Sequence, residues 1–83
     1  MDQSLGYLRE SLANYIDRSD EGKEIYRKLL HFQEQSEEQF VNELSEQEIQ
    51  FLNHVLPNEI KYAADEKDYE RLHFLNEVYE ILY

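Results

Sequence analysis

Between its first and last residues this chain is broken by a single proline, Pro57, and by two isolated glycines, Gly6 and Gly22. Threonine is missing and valine occurs three times, so the side chains that suit a pleated strand are scarce. Leu, Glu, Gln and Lys, which lose little rotamer freedom in a helix, fill the space instead. A chain written this way is expected to be helical almost throughout, with short polar turns.

The apolar residues confirm the period. Leu5, Leu8, Leu12, Tyr15 and Ile16 recur at helical spacing with Arg9, Glu10, Asn14 and Asp17 turned away, which predicts an amphipathic helix over Ser4 to Asp17. Asp17-Arg18-Ser19-Asp20-Glu21-Gly22 holds no apolar residue, and its Ser and Asp suit a turn that caps the next helix. A second stripe, Ile25, Leu29 and Phe32 flanked by Tyr26 and Leu30, fades near Gln35, with Glu24 and Lys28 spaced for an i,i+4 ion pair.

Two capping boxes follow, Ser36-Glu37-Glu38-Gln39 and Ser45-Glu46-Gln47-Glu48. The first opens a short turn with Phe40, Val41 and Leu44. The second opens a long helix with Ile49, Leu52, Val55, Leu56, Ile60 and Ala63. Proline lacks an amide donor and clashes with the preceding turn, so Pro57 either kinks this helix or restarts it; the unbroken stripe favours a kink. Beyond the polar break 65–68, Asp68 is placed to cap a last helix bearing Tyr69, Leu72, Leu75, Val78, Tyr79 and Leu82, paired with the helix before it as an antiparallel hairpin. The expected architecture is all-α: one domain over residues 1–83, a small antiparallel bundle of four main helices plus one short helical turn.

At 83 residues, 41% of them hydrophobic and 33% charged, the chain is expected to fold as a modest single core. A core near this size supplies only about 3–5 kcal/mol, so a homo-oligomer would be a natural supplement. Zero cysteines exclude disulfides and thiolate metal sites, which fits a reducing cytoplasm. The first nine residues have no basic stretch leading into an apolar run, and nothing approaches the roughly 18 apolar residues of a membrane span. A net charge of −11 repels phosphate backbones and anionic headgroups, which argues against nucleic-acid and membrane partners and for a basic or apolar protein surface.

Few residues suggest chemistry. Glu70-Arg71-Leu72-His73 puts a carboxylate and an imidazole on one helix face, as di-iron bundles do twice, but here it occurs once; the plainer reading is a half-exposed face beside the core. His31 and His54 have no second ligand at i+4 and read as boundary or surface histidines. Serines 4, 11, 19, 36 and 45 occupy helix starts, a turn or polar faces, and none has the glycines of a nucleophile elbow. Paired carboxylates such as Glu37-Glu38 and Asp65-Glu66 fall in polar turns, where equal solvation leaves no split between acid and base. Two isolated glycines make no phosphate loop. No catalytic, cofactor-binding or metal-ligating residue is assigned, and no cofactor is expected.

Surfaces offer more. Arg18, Lys23, Arg27 and Lys28 are half of the basic residues, a patch that either clamps an acidic partner or pairs within the bundle. Seven tyrosines are many for this length, and Tyr suits places where an apolar ring ends in a wet hydroxyl. The last helix carries an unusually wide apolar arc, which means either a central position or a second chain against it. Tyr69, Phe74, Val78, Tyr79, Ile81, Leu82 and Tyr83 are therefore the candidate partner-binding residues, whereas Tyr15 and Tyr62 suit the rim of a core equally well.

The opening Leu5-Gly6-Tyr7-Leu8-Arg9-Glu10-Ser11-Leu12, the central Phe51-Leu52-Asn53-His54-Val55-Leu56 and Glu59-Ile60-Lys61-Tyr62-Ala63, and the late Leu75-Asn76-Glu77-Val78-Tyr79-Glu80 together resemble a small family of Bacillus-type sporulation proteins. The family is described as sigma-G-dependent and sporulation-specific and is associated by name with small acid-soluble spore proteins. The resemblance implies a forespore or spore-interior location and transfers no biochemical activity; the charge of this chain argues against coating DNA. The expected function is that of a non-enzymatic sporulation-associated protein acting through protein–protein interaction or self-association, or, alternatively, of a structural or storage component of the spore.

Overall fold

Ser19 has extended backbone and its hydroxyl accepts the Gly22 amide at 3.2 Å, which starts a helix where the sequence turns from polar to periodic. This and four other helices make up a computed structural model that describes residues 3–32 and 37–82. They are α1 (Gln3–Leu12), α2 (Asp20–His31), α3 (Glu37–Asn42), α4 (Glu46–Asp65) and α5 (Tyr69–Glu80). Among the described residues there is no strand. The four longer helices form a ring in which α1 packs on α2 and α5, and α4 packs on the same two. Leu5, Leu8, Ile25, Leu29, Leu52, Leu56, Leu75, Val78 and Leu82 meet inside it with no exposure. The short α3 closes one side with Phe40, whose ring meets the edge of Phe32 at 5.3 Å.

The boundaries depart from periodicity where tertiary contacts intervene. The first helix stops at Leu12 rather than Asp17. Residues 13–18 form tight turns in which the Tyr15 amide reaches Leu12 O at 2.8 Å and the Arg18 amide reaches Tyr15 O at 3.1 Å. The turns place Tyr15 against Phe51 in an edge contact and beside Gly22, a demand that helical spacing does not encode. The second helix ends at His31, not Gln35, because Phe32 turns to extended backbone. The capping box expected at Ser36 lies partly outside the described residues.

The box at Ser45 forms: Ser45 Oγ accepts the Glu48 amide, and Glu48 Oε1 accepts the Ser45 amide. Glu48 is buried, and the same oxygen accepts Lys28 Nζ at 2.7 Å, tying α2 to the start of α4. This corrects the expected Glu24–Lys28 pair. Glu24 binds Arg27 instead, one turn along the same exposed face, and that hydrogen bond holds its carboxyl below the usual range.

Helix α4 runs unbroken through Pro57, so the alternative of a restart there does not occur. Pro57 is exposed while Leu56 and Val55 beside it are buried, so the missing amide falls on the solvent side of the helix. The helix ends in a Schellman motif: the Lys67 amide bonds Ala64 O, the Asp68 amide bonds Ala63 O at 2.8 Å, and Lys67 has φ of 60°. Asp68 then caps α5 by accepting the Arg71 amide. With three residues between them and close packing along their length, α4 and α5 make the expected hairpin.

Candidate interaction surface

The wide apolar arc of α5 is explained by its position between α1 and α4. Val78 and Leu82 have no exposure and belong to the core of the single chain. Phe74 stacks on Tyr7 of α1 with centroids 5.5 Å apart, and Tyr79 and Ile81 are half-buried against the core. Tyr69 is 65% exposed, and Tyr83 lies outside the described residues. Of the seven candidates on the last helix, Tyr69 thus presents its ring to solvent. A second ring does the same: Tyr62, near the end of α4, is 64% exposed rather than sealing the core. Tyr15 takes the core-rim role, with its hydroxyl donating to Glu59.

The Glu70-x-x-His73 pair does not converge on anything. Both residues are exposed, and among the described residues no three His, Asp or Glu groups gather around a point that could hold a metal ion. His73 instead pairs with Glu77 at 3.3 Å, and the other Glu77 oxygen accepts the Ser4 hydroxyl at 2.8 Å. Ser, Glu and His are therefore in line, but with the carboxylate in the middle. A Ser–His–acid relay needs the imidazole next to the hydroxyl, and Ser4, with no exposure, is out of reach of a substrate. His31 and His54 are exposed on the surface, as their surroundings in the sequence suggest.

The basic stretch is largely engaged within the chain. Arg27 is on Glu24, Lys28 on Glu48 and the carbonyl of Glu43, and the Arg18 guanidinium lies 5.8 Å from the centroid of Tyr15. Lys23 is exposed.

A concave surface lies at the corner where α4 meets α5. A cleft of about 640 Å³ opens between the end of α4 and the start of α5, with Asn14 from the turns after α1 on its rim. Glu59 and Tyr62 from α4 and its C-cap Glu66 line one wall, with Ala63 as the floor. Lys67, Asp68 and Arg71 complete it. Arg71 fixes the geometry: its Nε donates to Asp68 at 3.1 Å, its Nη1 to Ser11 at 3.5 Å, and its guanidinium lies 5.6 Å from the centroid of Tyr7. Periodicity identifies Ala63 as core, but it cannot reveal that the Schellman turn brings Arg71 round to the Glu59–Glu66 face.

A family model described as CsgA, minor curli fiber component A, matches residues 1–83. A protein of Bacillus subtilis (strain 168) named sigma-G-dependent sporulation-specific SASP protein is 50% identical over 82 residues, which cover 99% of either chain. The chain belongs to this family. The resemblance to sporulation-specific proteins read from the sequence is thereby confirmed over nearly the full length. No solved structure matches. In this family member every element among the described residues is a helix. No helix among the described residues is long and apolar enough to cross a membrane.

Proposed function

We propose that this family member is a non-enzymatic protein of the forespore interior that works by binding another protein through the α4–α5 corner. The observation that carries this reading is the exposure of two large aromatic rings, Tyr62 at 64% and Tyr69 at 65%, on either side of one rigid turn. Tyr rings held on a rigid scaffold are the residues that anchor interfaces, because they bring area at little conformational cost. The 50% identity to a sporulation-specific protein supports the cellular setting. Self-association is disfavoured by a net charge of −11 on each copy.

Photocrosslinking in sporulating cells tests the reading. A benzophenone amino acid replaces Tyr62, Tyr69 or the exposed His54, and adducts are compared. A discrete adduct from positions 62 and 69 and none from 54 is expected. No adduct at any position would favour the storage-component alternative and overturn the proposal.

A further inference from the structure

We propose that the α4–α5 cleft is a receptor for a lysine or arginine side chain on a basic segment of the partner, an inference that rests on reading the chain as an interaction protein. Glu59 and Tyr62 stand at i and i+3 on α4, Glu66 follows at i+7 as its C-cap, and all three line the cleft in one row. An exposed ring therefore stands between two carboxylates. The ring face attracts a cation through its quadrupole, and the carboxylates hold that cation in place with charge-assisted hydrogen bonds. The last turns of α4 add the partial negative charge of a helix C-terminus. Ala63, 1% exposed, gives the floor only a methyl group and so leaves depth for a side chain.

The cations already present do not satisfy this wall. Arg71 is held by Asp68, Ser11 and the Tyr7 ring. Glu59 Oε2 accepts the Tyr15 hydroxyl, a neutral donor that leaves its charge uncompensated, and among the described residues neither Glu59 nor Glu66 takes part in an ion pair. Lys67 alone stands against the two carboxylates, so the lining keeps an excess of negative charge in a chain whose net charge is −11. A basic segment is drawn to such a surface from a distance. A second copy is the poorer occupant, since two chains of −11 repel.

The test uses the full chain and a fluorescein-labelled peptide of alternating lysine and glycine. Binding is followed by anisotropy at low salt, and the site is located from backbone amide NMR shifts. Shifts clustered over 59–71 are expected, with Tyr62→Ser and Glu66→Gln each weakening binding about tenfold and Tyr62→Phe retaining it. Glu46→Gln removes the same charge at the other end of α4, about 30 Å away, and should change binding less than about twofold. Equal weakening by Glu46→Gln and Glu66→Gln, or indifference to Tyr62→Ser, would overturn the proposal as diffuse attraction to an acidic surface. A dimer that Tyr62→Ser dissociates would overturn it in favour of a second copy. Crosslinks at 62 and 69 without peptide binding overturn the cation receptor and leave the interaction reading standing. Peptide binding at the cleft without crosslinks supports the receptor and overturns that reading.

Discussion

The Tyr15 hydroxyl donates to Glu59 Oε2 at 2.9 Å, across 44 positions of sequence, and joins the turns after α1 to the middle of α4. Burial, the bond to Glu59 and the charge of Glu59 together push the Tyr15 hydroxyl above its ordinary value of 10.0, with Arg18 opposing them. The folded chain thus holds this proton more tightly than the unfolded one. The resulting stability is complete below pH 10 and is lost as pH rises through the folded value. Urea unfolding from neutral to alkaline pH should show Tyr15→Phe less stable by about 1 kcal/mol at neutrality. Its decline above pH 10 should be shallower than that of the wild type, and parallel alkaline limbs would refute the coupling.

Lys67 occupies a left-handed backbone position, φ 60°, at the turn between α4 and α5. A side chain there crowds the following carbonyl and costs about 1–2 kcal/mol, a penalty glycine avoids. After allowing for the greater freedom of glycine in the unfolded chain, Lys67→Gly should stabilise by about 0.5–1 kcal/mol and raise the thermal midpoint by a few degrees. A lower midpoint would mean that the Lys67 side chain makes a stabilising contact.

Gly22 sits where a Cβ would lie 3.0 Å from Tyr15 Cβ, 3.2 Å from Phe51 Cζ and 3.3 Å from Tyr15 O. One of these neighbours is backbone, so the site has little room to relax. Gly22→Ala should therefore cost about 1–3 kcal/mol despite alanine's better helix propensity. In Gly6→Ala, with nothing within 4 Å of the added atom, propensity should prevail and the protein should gain stability. Thermal melts of the pair check the contrast, and equal shifts would disprove it.

Glu48 accepts both the Ser45 amide and Lys28 Nζ through one oxygen. Glu48→Ala removes half of the capping box and leaves Lys28 facing a buried position, at a cost of about 2–3 kcal/mol. Lys28→Met, which keeps the stem and removes the charge, should cost less than Glu48→Ala, because the capping box survives. Chemical denaturation of both variants gives the comparison.

If the α5 core residues serve this chain alone, light scattering over a dilution series should give a mass near 10.1 kDa throughout. Leu82→Ala, at a position with no exposure, should then lower stability by about 2–5 kcal/mol independently of protein concentration. A concentration-dependent mass would transfer Leu82 and Val78 to an interface.

The sequence alone determined the all-helical class, most helix starts and nearly all of the core. Ser19, Ser45 and Asp68 cap where their spacing to the next apolar residue says they must, because capping is a bond within four residues. Leu52, Leu56, Leu75 and Val78 are buried because a period of 3.6 puts them on one face whatever that face meets. The tertiary structure decided what happens between helices. Whether α5 used its wide apolar arc for its own bundle or for another chain depended on its lying between α1 and α4, and no periodicity within α5 records its neighbours. Tyr15 and Tyr62 look alike in sequence, yet one is tied to Glu59 and the other stands in water. The cleft wall of Glu59, Tyr62 and Glu66 is likewise an ordinary helix face until the left-handed turn at Lys67 folds Asp68 and Arg71 across its end. Local bonds and periods are set within a few residues, whereas a surface is made from residues that only packing brings together.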